Sequence, residues 1–204
     1  MTGSASVETV PDIVLASLGV DVRSTDISTA LRTAEESLAR MRDSLLEGGV
    51  DRAGLRTSRS TIWREVVTDG AGTNTTVTHV RLGLQVRMRE VATAGDLVHA
   101  ALAAGGVDAT MDSMDFAVSD TREALVQARD AAFDEARRIA EAYAARAGRA
   151  LGEVTSITEG AVGTAPGPMP KVAFAAPAGS MPVEPGQTSV DASVTVTWEL
   201  APRI

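Results

Sequence analysis

A chain of 204 residues with 44% hydrophobic and 23% charged positions holds enough apolar material for a packed core without covalent staples. Its net charge of -8, with basic residues scattered along the chain, repels phosphate backbones and argues against nucleic acid as a partner. Cysteine is absent and only His79 and His99 supply imidazole, which excludes disulfides, thiolate metal sites, a cysteine nucleophile and a typical zinc site, so no metal or cofactor is expected.

The opening "MTGSASVETVPDIVLASLGV" carries no Lys or Arg before its apolar residues and no uninterrupted apolar run. It matches neither a signal peptide nor a membrane span, and a cytoplasmic location is the expectation. Within it, Asp12 to Val22 is apolar on nearly both faces, as a central strand is. From Asp26 to Glu47 helical period takes over. Ile27, Ala30, Leu31, Ala34, Leu38, Met41, Leu45 and Leu46 form the buried stripe, with Arg32, Glu35, Glu36, Arg40 and Asp43 opposite. "LRTSRSTIWREVVT" predicts a weaker strand, and Asp69 to Asn74, "DGAGTN", a turn that joins it in a hairpin to the next. That next strand alternates clearly. Val80, Leu82, Leu84, Val86 and Met88 face inward, while His79, Arg81, Gln85, Arg87 and Arg89 face water.

A second helix is predicted from Ala94 to Ala104, opened by a capping-box pair, Thr93 and Asp96. His99 belongs on its surface. "LLEGGVD" ending at Asp51 and "LAAGGVD" ending at Asp108 close the two helices alike. Glycine suits the left-handed residue that ends a helix, and the following Val can fold back on the last turn. Strand, helix, GGVD, strand thus occurs twice, which predicts two related β-α-β units. The acids Asp108, Asp112, Asp115 and Asp120 lie close together, but not at calcium-loop spacing. A turn, the polar face of an edge strand and a helix cap account for them; a divalent cation on Asp108, Asp112 and Asp115 is the lesser reading.

The longest helix is predicted from Thr121 to Ala147, capped by Asp120. Leu125, Ala128, Ala132, Ala136, Ile139, Tyr143 and Ala147 make a stripe of mostly small side chains that lets the helix axis approach a sheet closely. Glu135, Arg137, Arg138, Glu141 and Arg146 lie around the other side as a solvated face. "LGEVTSITEG" returns as a strand. Gly163 to Gly186 then holds six of the eight prolines and is expected to form a loop without regular structure. Its Val172, Phe174 and Met181 are candidate contacts for a partner or a second copy. In the final strand, Val190, Ala192, Val194, Val196, Trp198 and Leu200 alternate with polar residues.

The stretch "ARDAAFDEARRIAEAYAARAGRALGEVTSITEG" resembles the C-terminal helix and strand of the SIMPL-domain family. The likeness continues through "VPD", the helix ending in GGV, "LRTS", the Pro-rich loop, "EPG" and "VDASVTVTWEL". The resemblance implies an α+β fold in which two β-α-β units form a mostly antiparallel sheet packed by the long C-terminal Ala-rich helix. That fold is expected as a single domain over 1–204, with the Pro/Gly-rich loop at 163–186. The resemblance also implies ring-like or channel-like homo-oligomers, links to the envelope, stress responses or protein binding, and no agreed catalytic residues. Many family members are exported; here the domain starts almost at Met1.

No enzymatic constellation emerges from the residues. G-x-S-x-G is absent, His79 is expected on a wet strand face, and "GAGTNTT" precedes a strand where a phosphate cradle would need a helix. The expectation is a non-enzymatic protein that self-associates through sheet edges or the long loop. A small-molecule binding module with a pocket between the sheet and the Ala-rich helix is the alternative, and a hydrolase built on the Asp cluster ranks last.

Overall fold

A computed structural model describes residues 1–68, 70, 72–160, 163–166 and 185–202. The elements run β1 (Thr2–Thr9), β2 (Ile13–Ser24), α1 (Ile27–Glu47), β3 (Leu55–Thr68), β4 (Asn74–Met88), α2 (Ala94–Gly105), β5 (Ala109–Ala117), α3 (Arg122–Arg146), β6 (Arg149–Glu159), β7 (Gly163–Pro166) and β8 (Thr188–Pro202). The α+β class holds, and every strand pair is antiparallel. Where the sequence predicts one sheet, the described residues form two, and the Ala-rich helix belongs to the second. The contacts gather into two compact units.

One unit holds β2 to β5 with α1 and α2, its sheet ordered β3-β4-β2-β5. The two predicted β-α-β units are present in split form. Strand β4 lies between β2 and β3, and β2 lies between β4 and β5, the arrangement of ferredoxin-like sheets. Helix α1 packs on β2 and β4, α2 packs on β5 and β2, and the apolar stripes of the two helices also meet each other. Val14, Leu18 and Val20 of β2 and Val80 and Val86 of β4 pack with Ala34, Met41 and Leu45 of α1 and Val98 of α2. Asp26 caps α1, accepting from the Thr29 N-H at 2.7 Å, and that bond lowers its pKa. At the far end Val50 N-H donates to Leu45 O and Gly49 N-H to Leu46 O, both at 3.0 Å, with Gly49 at φ 92°. This is a Schellman end, and the buried Val50 folds back as predicted.

The second GGVD differs. Gly106 also has positive φ, but the chain enters a short 3-10 turn there and Val107 is fully exposed. The capping box of α2 does not form either. Thr93 sits at φ -98°, ψ -5°, already helical, and its side chain makes no cap bond.

The other unit is a sheet ordered β1-β8-β6, with β7 also on β8, packed by α3. The buried line of α3 is Ala124, Ala128, Ala132, Ala136, Ala140 and Ala144. The predicted stripe is therefore rotated slightly, and Tyr143 and Ala147 face water. An unbroken row of methyl groups gives the closest approach, and a tyrosine on that row would hold the helix off. On β1, an added Cβ at Gly3 would stand 2.1 Å from Ala132 O and 2.5 Å from Ala136 N, so the strand lies directly against the helix backbone. The charged residues face outward as predicted, with Arg137–Glu141 at 2.9 Å and Arg138–Glu135 at 2.7 Å. Before the helix, Asp120 accepts from the Arg122 guanidinium and, at 3.0 Å, from its backbone N-H, which together lower its carboxyl to about 2. The expected irregular loop begins with a regular piece, since Gly163–Pro166 is the strand β7 paired with Thr188 to Asp191. Its only proline is the last residue, where the ladder loses least by a missing N-H.

Candidate functional site

Three surfaces are candidates for function. The first is the edge of the four-stranded β3-β4-β2-β5 sheet. The predicted hairpin is present, closed by Thr68 opposite Asn74 with their side chains hydrogen-bonded at 2.7 Å. Among the described residues β3 pairs on one side only, and every residue after Leu55 is exposed. Ile62 is 45% exposed and Val66 61%, with Trp63 and Val67 similar, so a run of large apolar side chains lies along an open row of backbone donors and acceptors.

Beside that edge, His79 departs from its predicted setting, being only 4% exposed. The alternation is correct, since it lies opposite the buried Val80 direction, but Trp63 stacks on the ring at 4.7 Å and 16°. The carboxylate Oε2 of Glu65 approaches Nε2 to 3.1 Å, yet off the direction of a ring N-H, and neither ring nitrogen makes an aligned hydrogen bond among the described residues. Cross-strand stacking is invisible in a one-strand reading, because it depends on which residue of β3 faces His79.

The second surface is a depression of about 170 Å³ on the face of the same sheet away from its helices. Gly19 and Gly83 lie side by side in β2 and β4, leaving a floor without side chains. Bulges at Ser58 in β3 and Asp112 in β5 flank it. Asp112 takes Arg81 at 3.1 Å and Arg59 at 3.9 Å. The acid cluster thus does not converge. Asp112 turns to the arginines, Asp115 is exposed on β5 opposite Leu15, Asp108 closes the 3-10 turn, and Asp120 binds Arg122. No group of three His, Asp or Glu side chains placed to hold a metal occurs among the described residues.

The third surface is a hollow of about 400 Å³ between α3 and the sheet of its own unit. Ala140, Ala144, Tyr143, Leu151, Trp198 and Leu200 line it. The small residues that seat α3 tightly on β1 leave this space on the β6 side, where Trp198 leans on Phe133 at 6.2 Å. The predicted contact residues Val172, Phe174 and Met181 lie outside the described residues. His99 is exposed on α2.

Among the described residues no helix is long and apolar enough to cross a membrane. The chain is 27% identical over 216 residues to the 26 kDa periplasmic immunogenic protein of Brucella melitensis, an alignment covering 98% of this chain and 83% of that one. The protein of the same name from Brucella abortus aligns with the same identity and coverage. These relatives overturn the expectation of a cytoplasmic protein: both are named as periplasmic, which points to export. The first twenty residues carry no information on export, because Thr2–Thr9 is itself a strand of the fold. Over residues 1–198 the sequence matches SIMPL, described as a protein of unknown function (DUF541), and the chain belongs to that family.

Proposed function

We propose that this is an exported, non-enzymatic SIMPL-domain protein of the cell envelope that works by binding further copies of itself along the β3 edge. The observation that carries this reading is the exposure of Ile62, Trp63, Val66 and Val67 on a strand that has one pairing partner among the described residues. Unpaired strand edges bearing apolar side chains add strands from other chains, and arginines at 56, 59 and 64 keep the edge soluble until a matching edge arrives. Light scattering across a concentration series is expected to show a mass above one chain by about 100 micromolar, the range in which a small, single-strand interface would associate. A constant monomer mass across that series removes the reading.

A second reading rests on the hollow beside α3, which suits an apolar small molecule. Its walls are aliphatic and aromatic, and at about 400 Å³ it falls within the size of small-ligand sites. The probe 1-anilinonaphthalene-8-sulfonate is expected to brighten on binding, with the signal reduced in Leu200→Asp. Equal fluorescence from the two proteins counts against a site there.

A further inference from the structure

Strand β3 carries a single acid, Glu65, and three arginines, Arg56, Arg59 and Arg64. If two copies add their sheets edge to edge, the strands run antiparallel about a two-fold axis normal to the sheet. Such an axis keeps each side chain on its own face, and opposed residues must share a face. Opposed positions therefore differ by an even number. Arg56 lies beyond the bulge at Ser58, outside the regular stretch of the strand, and Arg64 stands at an odd separation from Glu65 and is excluded as its direct partner. Arg59 stands at an even one.

We propose that two copies pair β3 with β3 in the register centred on Ile62, so that Arg59 of each copy lies opposite Glu65 of the other. This rests on the self-association proposed above and specifies its geometry. Ile62 then meets the partner's Ile62 on the axis, Thr61 meets the partner's Trp63, and Ser60 meets the partner's Arg64. The paired stretch from Arg59 to Glu65 begins where the bulge at Ser58 ends, so it lies within regular backbone. Neighbouring registers are worse. Centring on Arg64 or on Glu65 sets like charges directly opposite, centring on Trp63 leaves Glu65 opposite Thr61, and centring on Thr61 carries the pairing of Glu65 into and past the bulge at Ser58, out of regular backbone. Arg59 and Glu65 each have only a loose partner within their own chain, Arg59 reaching Asp112 at 3.9 Å and Glu65 standing 3.1 Å from His79 Nε2 off the N-H direction. Their side chains are 53% and 59% exposed, accessible to a partner across the edge.

The symmetry doubles every charge change. By sedimentation equilibrium, Arg59→Glu and Glu65→Arg are each expected to weaken the dimer about thirtyfold, by turning two attractions into two repulsions. The double variant, which restores opposite charges, is expected to return to within about threefold of the parent on the same argument. Because the chain has no cysteine, Ile62→Cys gives an independent reading: mild oxidation links two copies through a residue opposed to itself, and Val66→Cys does not link. Single swaps without effect on a dimer that still forms overturn this register while leaving self-association intact. A parent protein that stays monomeric overturns both.

Discussion

Gly3→Ala is expected to destabilise the unit built on α3 by about 3 kcal/mol, one of the larger costs of adding a single methyl group. The new Cβ would lie 2.1 Å from Ala132 O and 2.5 Å from Ala136 N. Both are helix backbone atoms, so no side-chain rotation relieves the clash. Either β1 leaves β8 or α3 lifts from the sheet, and each loses packing along the buried alanine row. For a protein of this size the loss corresponds to a fall in Tm of about 10 °C, readable by calorimetry. Ser4→Ala, one residue along on the exposed side of β1, is the control and is expected to be nearly neutral. An unchanged Tm for Gly3→Ala would mean that the strand does not lie against the helix backbone.

Leu18→Ala is expected to cost the ferredoxin-like unit about 4 kcal/mol. Leu18 sits in the central strand at 1% exposure, and its neighbours belong to both β4 and the helices, so the cavity has little freedom to collapse. Leu15 on the same strand points to the opposite face at 41% exposure, and Leu15→Ala is expected to cost under about 1 kcal/mol. Urea denaturation of the two variants measures the difference directly. Similar losses would contradict the burial of one face of β2 and the openness of the other.

The same two positions show why some elements were legible and others were not. Alternation in β4 and the three-four spacing in α1 are carried by Val, Leu, Ile and Met, whose burial is worth enough to dictate which side faces in, whereas β2 reads as apolar on nearly both faces and the exposure of Leu15 appears only in the fold. In β1 the inward positions are Gly3, Ala5 and Val7, with serines between, and the contrast is too small to announce a strand. Its need for glycine becomes visible only beside α3. The Gly-Gly ends of α1 and α2 were legible as ends because positive φ is a local requirement, met at Gly49 and Gly106. Whether the following valine folds back was not, since Val50 finds the α1 core and Val107 finds solvent.

The association edge was legible in part. Sequence identified the β3–β4 hairpin, but the exposure of Trp63, its stacking on His79 and the commitment of Asp112 to two arginines all follow from strand order. The expected contacts at Val172, Phe174 and Met181 fall outside the described residues, and among the described ones an exposed apolar run lies on β3.

By itself the sequence determined the α+β class, the amphipathic helices, the paired β-α-β units, the closely packed alanine helix and the family. These follow from side-chain period and backbone requirements that act within one element or its turn. Only the tertiary structure decided that the described residues form two sheets, that β1 and β8 share one of them with α3, and that β3 is an edge among those residues. Those outcomes depend on contacts between residues far apart in the chain, where many pairings satisfy the local pattern and close packing selects one.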